Sequence, residues 1–101
     1  MVTAVPLDRD AIAHISERFA VQRLRVFGSV LTDRFDPSRS DVDFLVDFAD
    51  DHPDLLGAYL GLKEALERVV GRSVDLVMAD AVKNPYFKAA AFSSAEDLYA
   101  A

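Results

Sequence analysis

The chain has 101 residues, a formal charge of −6, 51% apolar and 28% charged residues, and no cysteine. That length carries one hydrophobic core and not two, so residues 1–101 are expected to form a single domain. The missing cysteines exclude disulfides and thiolate metal sites. The negative charge opposes general nucleic-acid binding and suits a basic protein partner or cations. No apolar run reaches the ~20 residues of a membrane helix. Met1 to Asp8 lacks the basic start and apolar segment of a secretory signal. The expectation is a cytoplasmic protein that binds neither membrane nor nucleic acid.

Along the chain, Ile12, Ile15 and Phe19 fall on one face of a helix over Asp10–Phe19. "LRVFGS" reads as a short strand, Leu24–Phe27, ended by Gly28; Val30 and Leu31 begin a short helix. "TDRFDPSRS" is a polar loop, and "DVDFLVDF" a second strand over Asp41–Phe48. "DDHPD" carries helix-start signals. Leu55, Tyr59, Leu62, Leu66 and Val69 form the buried stripe of the long helix that follows, with Gly71 as its terminator. "SVDLVMA" is a third strand. Asn84 caps a last helix that opens with Pro85 and runs to about Phe92. Helices alternating with short strands imply an α/β (α+β) fold, a small mixed sheet backed by helices.

Three carboxylates interrupt these apolar strands. Asp41 and Asp43 have the same parity and face the same way, while Val42, Phe44 and Val46 turn to the core. Two like charges held together repel and raise each other's proton affinity. Magnesium suits the arrangement, because it takes carboxylate oxygens together with substrate phosphates. Asp75, between Val74 and Leu76, is the third member if its strand lies beside the second; three carboxylates can hold two ions. Gly28 and Ser29 supply the opposite half. A strand that ends in glycine and turns into a helix exposes free backbone N–H groups to a phosphate, and the Ser29 hydroxyl adds a donor.

Gly28-Ser29, a loop, Asp41-x-Asp43 and the later strand Asp75 together resemble the nucleotidyltransferase superfamily that includes DNA polymerase beta. The short length and the ending "NPYFKAAAFSSAEDLYA" are similar to the minimal nucleotidyltransferases, antitoxins encoded beside HEPN-domain ribonuclease toxins. The resemblance spans nearly the whole chain and implies the nucleotidyltransferase fold. It implies Gly28 and Ser29 at the nucleotide phosphates, Asp41 and Asp43 as metal ligands, and Asp75 as the third carboxylate, assisting deprotonation of the attacking hydroxyl. It also implies a reaction: AMP passes from Mg-ATP to a tyrosine hydroxyl of the toxin, which is silenced within a hetero-oligomer. The sequence departs from the family at Val30–Asp33, where an Ala-Arg-Gly segment is common, and the loop from Ser29 to Asp41 is about one residue longer than the family's usual form. Arg34 or Arg39 then takes over the phosphate contact. Two rivals follow: a catalytically weak descendant that neutralises its toxin by contact, and a small-molecule nucleotidyltransferase, whose usual extra acceptor domain 101 residues do not accommodate.

Other residues have simpler readings. Asp47 shares the parity of Asp41 and Asp43 but lies beyond their cluster, and Asp50, Asp51 and Asp54 belong to a solvated loop and a helix cap. His14 reads as a surface or boundary residue, His52 as a loop residue with no zinc partners, and Tyr59 as core. Tyr86 and Phe87 suit either inward packing or a partner surface.

Overall fold

The computed structural model describes residues 3–49 and 51–101. Asp50 lies outside the described residues, as do Met1 and Val2. Helix α1 (Arg9–Arg18) starts at Asp8, whose carboxylate accepts from the Ala11 N–H at 3.1 Å. Strand β1 (Val21–Phe27) leads into a single 3₁₀ turn, Gly28–Leu31, and the loop returns as β2 (Val42–Phe48). Helix α2 (Leu55–Val70) is capped by Asp54, which accepts from Gly57 N–H. It ends at Gly71, whose φ of 78° is the left-handed geometry glycine adopts without a Cβ penalty. Strand β3 (Val74–Met78) follows. Helix α3 (Pro85–Ser94) is capped by Asn84, which accepts from the N–H groups of Tyr86 and Phe87. The chain closes with β4 (Glu96–Ala100).

The strands form one mixed sheet in the order β3-β2-β1-β4, with β1 antiparallel to both β2 and β4, and β2 parallel to β3. One face carries Leu24, Val26, Phe44, Val46 and Leu76 under Ile12, Leu62 and Leu66 of α1 and α2, all buried. The opposite face is thinner: Phe27 and Leu45 lie under Ala91 of α3 and Ala79. Alternation along β2 therefore sends one set of side chains into the main core and the other towards α3. Among the described residues no helix is long and apolar enough to cross a membrane.

The structure corrects the sequence reading in four places. Strand β1 begins at Val21, three residues before Leu24, and its first half is held by pairing Val21 with Phe48 and Arg23 with Asp47. The segment Glu96–Ala100, left unassigned beyond the last helix in the sequence reading, is an edge strand paired with β1. Leu55 opens α2 on its exposed side, and Ala58 takes the buried position of that turn. The short helix after β1 starts at Gly28 and has four residues, so its dipole is small. Tyr59 is partly buried and its hydroxyl donates to Leu76 O at 2.7 Å, tying α2 to β3.

Candidate functional site

The candidate residues Gly28, Ser29, Asp41, Asp43 and Asp75 fall at one end of the sheet, where β1 ends and β2, β3 and β4 begin. Register pairs Phe27 of β1 with Asp43 of β2, and Asp43 in turn with Asp75 of β3. Asp43 and Asp75 are thus nearest cross-strand neighbours on the α3 side of the sheet. Asp41 is exposed one residue ahead of β2. Desolvation, first, and then the charges of Asp75 and Asp41 push the half-buried Asp43 carboxyl up from 3.8 to about 6. Crowding of this kind is what two neighbouring carboxylates impose on a third that is shielded from water.

Gly28 lies against this group. Its φ is +82°, and a Cβ there would collide with Asp43 Oδ2 and stand 3.3 Å from Cγ. Glycine is required twice over, for the backbone angle and for the approach. The turn it opens is closed by Thr32, whose N–H and hydroxyl both donate to Ser29 O, at 2.9 and 2.8 Å. Val30 is buried and its carbonyl accepts from Ala4 N–H at 2.8 Å, which fixes the turn to the amino-terminal segment.

Two clefts flank the carboxylates. On the β1–β4 side, a cleft of about 460 Å³ is lined by Gly28, Ser29, Thr32 and Arg34 from the turn, and by Ser94 and Glu96 from the end of α3 and the start of β4. On the β2–β3 side, a second cleft of about 290 Å³ is lined by Arg39, Ser40 and Asp41 and by Arg72 and Ser73. The structure therefore brings Arg34 to the Gly28-Ser29 turn and sets Arg39 apart from it, beside Asp41. Sequence reading singled out neither Arg72 nor Ser94 and Glu96; nothing local marks them, and only the topology places them here. The neighbouring polar residues have structural roles. Asp47 pairs with buried Arg25 at 3.3 Å, and Arg25 lies over the Phe92 ring of α3 at 4.8 Å. His52 is held between Phe19 O and Asp54 N–H, which makes Nε2 the donor and Nδ1 the acceptor.

The donor set is all-oxygen and hard, which fits Mg²⁺, and a divalent cation would offset the repulsion that raises Asp43. Among the described residues no group of three or more histidine or acidic side chains is placed to hold a metal ion. Asp43 and Asp75 meet across β2 and β3, and Asp41 lies exposed just ahead of β2.

Comparison with known proteins agrees with this geometry. The family model "Nucleotidyltransferase domain" matches residues 9–98. The protein adenylyltransferase MntA of Thermococcus cleftensis is 39% identical over 87 residues, covering 83% of this chain and 85% of its own. A solved chain described as a candidate minimal nucleotidyltransferase superposes with a TM-score of 0.72 at 32% identity, covering 87% of this chain and 86% of that one. A crystal structure of a toxin-antitoxin with AMP-PNP also gives 0.72, at 21% identity, covering 94% of this chain and 75% of that one, and shares the fold. A glycine turn seated on strand carboxylates, in a chain matched across nearly its whole length, places this protein in the nucleotidyltransferase family, among its minimal, MntA-type members.

Proposed function

We propose that the protein transfers AMP from ATP to a tyrosine hydroxyl of a HEPN-domain ribonuclease toxin and so acts as its antitoxin. The observation that carries this reading is the contact between Gly28 and Asp43, with Asp75 as the next cross-strand neighbour. In this reading the turn that seats the phosphate lies against Asp43, one of the carboxylates that would hold the metal. The relatives support the reading: one is named a protein adenylyltransferase, and one solved toxin-antitoxin contains the ATP analogue AMP-PNP.

In this account Gly28, Ser29 and Arg34 hold the triphosphate in the β1–β4 cleft. With a four-residue turn, the hold comes from open backbone N–H groups, the Ser29 hydroxyl and the Arg34 charge more than from a helix dipole. Asp41, Asp43 and Asp75 would hold Mg²⁺, two ions in the full complement. When bound, the metal neutralises phosphate charge and favours the ionised acceptor. A phenol ionises near ~10, so a base is needed at neutral pH. Asp75, on the edge strand, takes the tyrosine proton. The tyrosine oxygen forms its bond to the α-phosphorus as the bond from that phosphorus to the β-bridging oxygen breaks, and pyrophosphate leaves.

The test is to incubate the protein with Mg²⁺, ATP labelled at the α-phosphate, and a HEPN-domain protein from the neighbouring reading frame. Label mapping to a tyrosine of that protein is the expected result; an unlabelled partner overturns the transferase reading. One feature favours a second reading, a domain that neutralises by contact alone: Val30–Asp33 contains no cation for the phosphates, and its Thr32 hydroxyl is spent on Ser29 O. Silencing without label would select it.

A further inference from the structure

The chain has three tyrosines of its own, and a tyrosine hydroxyl is the acceptor that the reading above assigns to this site. Two of the three are committed to the fold. Tyr59 is partly buried with its hydroxyl on Leu76 O, and Tyr99 packs against the main core from β4. Tyr86 differs. It stands in the first turn of α3 and is 86% exposed.

Helix α3 carries that turn to the site. It follows β3 in the chain and ends at Ser94, just ahead of β4 at the opposite edge of the sheet, so it crosses over β2 and β1. Phe87 anchors its start. The Phe87 ring meets Phe27 edge-on at 6.1 Å, and Phe27 is both the residue before Gly28 and the register partner of Asp43. The later turns of α3 wall the nucleotide cleft, which Ala90 and Ser94 line together with Gly28, Ser29, Thr32 and Arg34. Tyr86, Ala90 and Ser94 follow one another at steps of four and so form one stripe of the helix. The stripe that lines the cleft therefore continues to Tyr86, one turn nearer the β3 edge.

That side suits the attack. In-line displacement sets the attacking oxygen opposite the leaving pyrophosphate. Resting on the reading above, the triphosphate lies on the β1–β4 side, so the acceptor comes from the side on which α3 begins. The charge is suitable as well. Between Asp80 and Glu96 the only charged residues are Lys83 and Lys88, in a chain of net charge −6, and this local positive charge draws an anionic nucleotide to the helix.

We propose that Tyr86 is a self-modification site, adenylylated by the cleft of its own chain. The Tyr86 Oη bonds to the α-phosphorus of ATP, the bond from that phosphorus to the β-bridging oxygen breaks, pyrophosphate leaves, and the phenolic proton passes to Asp75. Because acceptor and cleft belong to one chain, the reaction is unimolecular in protein.

The test is to incubate the protein alone with Mg²⁺ and ATP labelled at the α-phosphate, and to map the label by mass spectrometry. A single adenylate on Tyr86 is expected, formed with a rate constant that does not change on dilution of the protein. Tyr86→Phe and Asp43→Asn should each lose it. Label on Tyr59 or Tyr99 instead, label kept in either variant, or a rate constant that rises with protein concentration overturns the proposal. A parallel reaction with the HEPN-domain protein separates this inference from the reading it rests on. Label on that protein with none on Tyr86 refutes self-modification alone, and label on neither refutes both. Tyr86→Phe should still label the HEPN-domain protein at the wild-type rate; loss of that transfer too would make Tyr86 part of the partner contact and overturn its role as an acceptor.

Discussion

Replacing Asp43 with Asn removes the charge that the fold disfavours most clearly, and the effect on stability has a definite pH signature. Folding raises the Asp43 carboxyl from 3.8 to about 6 through desolvation and the charges of Asp75 and Asp41. Between those values the folded state binds a proton that the unfolded state has lost, so stability falls as pH rises from about 4 to about 6 and then levels off. At about 1.4 kcal/mol per pH unit, a fully shielded group would cost ~3 kcal/mol at neutral pH. Asp43 is half-buried, and solvent screening reduces this to about 1–2 kcal/mol. In chelator-treated protein, Asp43→Asn should therefore be more stable than wild type at pH 7 by about that amount, or roughly 5–10 °C in Tm. At pH 4 the two should coincide. Chemical denaturation of both proteins across pH 4–7.5 measures the difference directly. A gap already complete at pH 4, or none at pH 7, would refute the electrostatic account of this site.

Three further outcomes follow from the same geometry. Gly28→Ala forces a left-handed alanine and pushes the Asp43 carboxylate aside; it should cost about 1–2 kcal/mol by thermal denaturation and abolish AMP transfer, and a fully active variant would show that the contact is dispensable. Magnesium should raise the Tm, by about 1.4 kcal/mol of stabilisation at tenfold over its Kd, and Asp43→Asn should lose most of that gain; a flat titration in wild type counts against an ion at these carboxylates. Tyr59→Phe removes the bond to Leu76 O and should cost about 1 kcal/mol in a denaturant titration with transfer activity kept, since the link lies on the α2 side of β3.

Much of the site was legible because it obeys short-range rules. Two-residue parity relates Asp41 to Asp43, and a charged residue flanked by Val74 and Leu76 marks Asp75, which the structure places exposed on the edge strand β3. The Gly28-Ser29 turn is a local signal as well, as are the caps at Asp54, Gly71 and Asn84. What failed depended on long-range pairing. Glu96–Ala100 has two acidic residues in five and becomes a strand only by pairing with β1, some seventy residues earlier in the chain. Val21–Arg23 extends β1 for the same reason, with its partners at Asp47 and Phe48. Leu55 belongs to the apolar repeat of α2 by spacing, but it lies in the first turn, beyond the part of the helix that the sheet covers. The separation of Arg34 from Arg39 depends on the path of the loop. Asp36 turns the chain there, accepting from the Ser38 N–H and hydroxyl while its carbonyl accepts from the Arg39 and Ser40 N–H groups. Five residues of sequence thus reach opposite sides of the carboxylates.

The most direct test uses the double variant Asp41→Asn/Asp43→Asn in complex with the HEPN-domain protein proposed above as its partner. With complex formation verified by gel filtration, ribonuclease activity and incorporation of labelled AMP are read from the same sample. The account predicts an intact complex with no label and an active ribonuclease. A partner silenced without any AMP attached would contradict it.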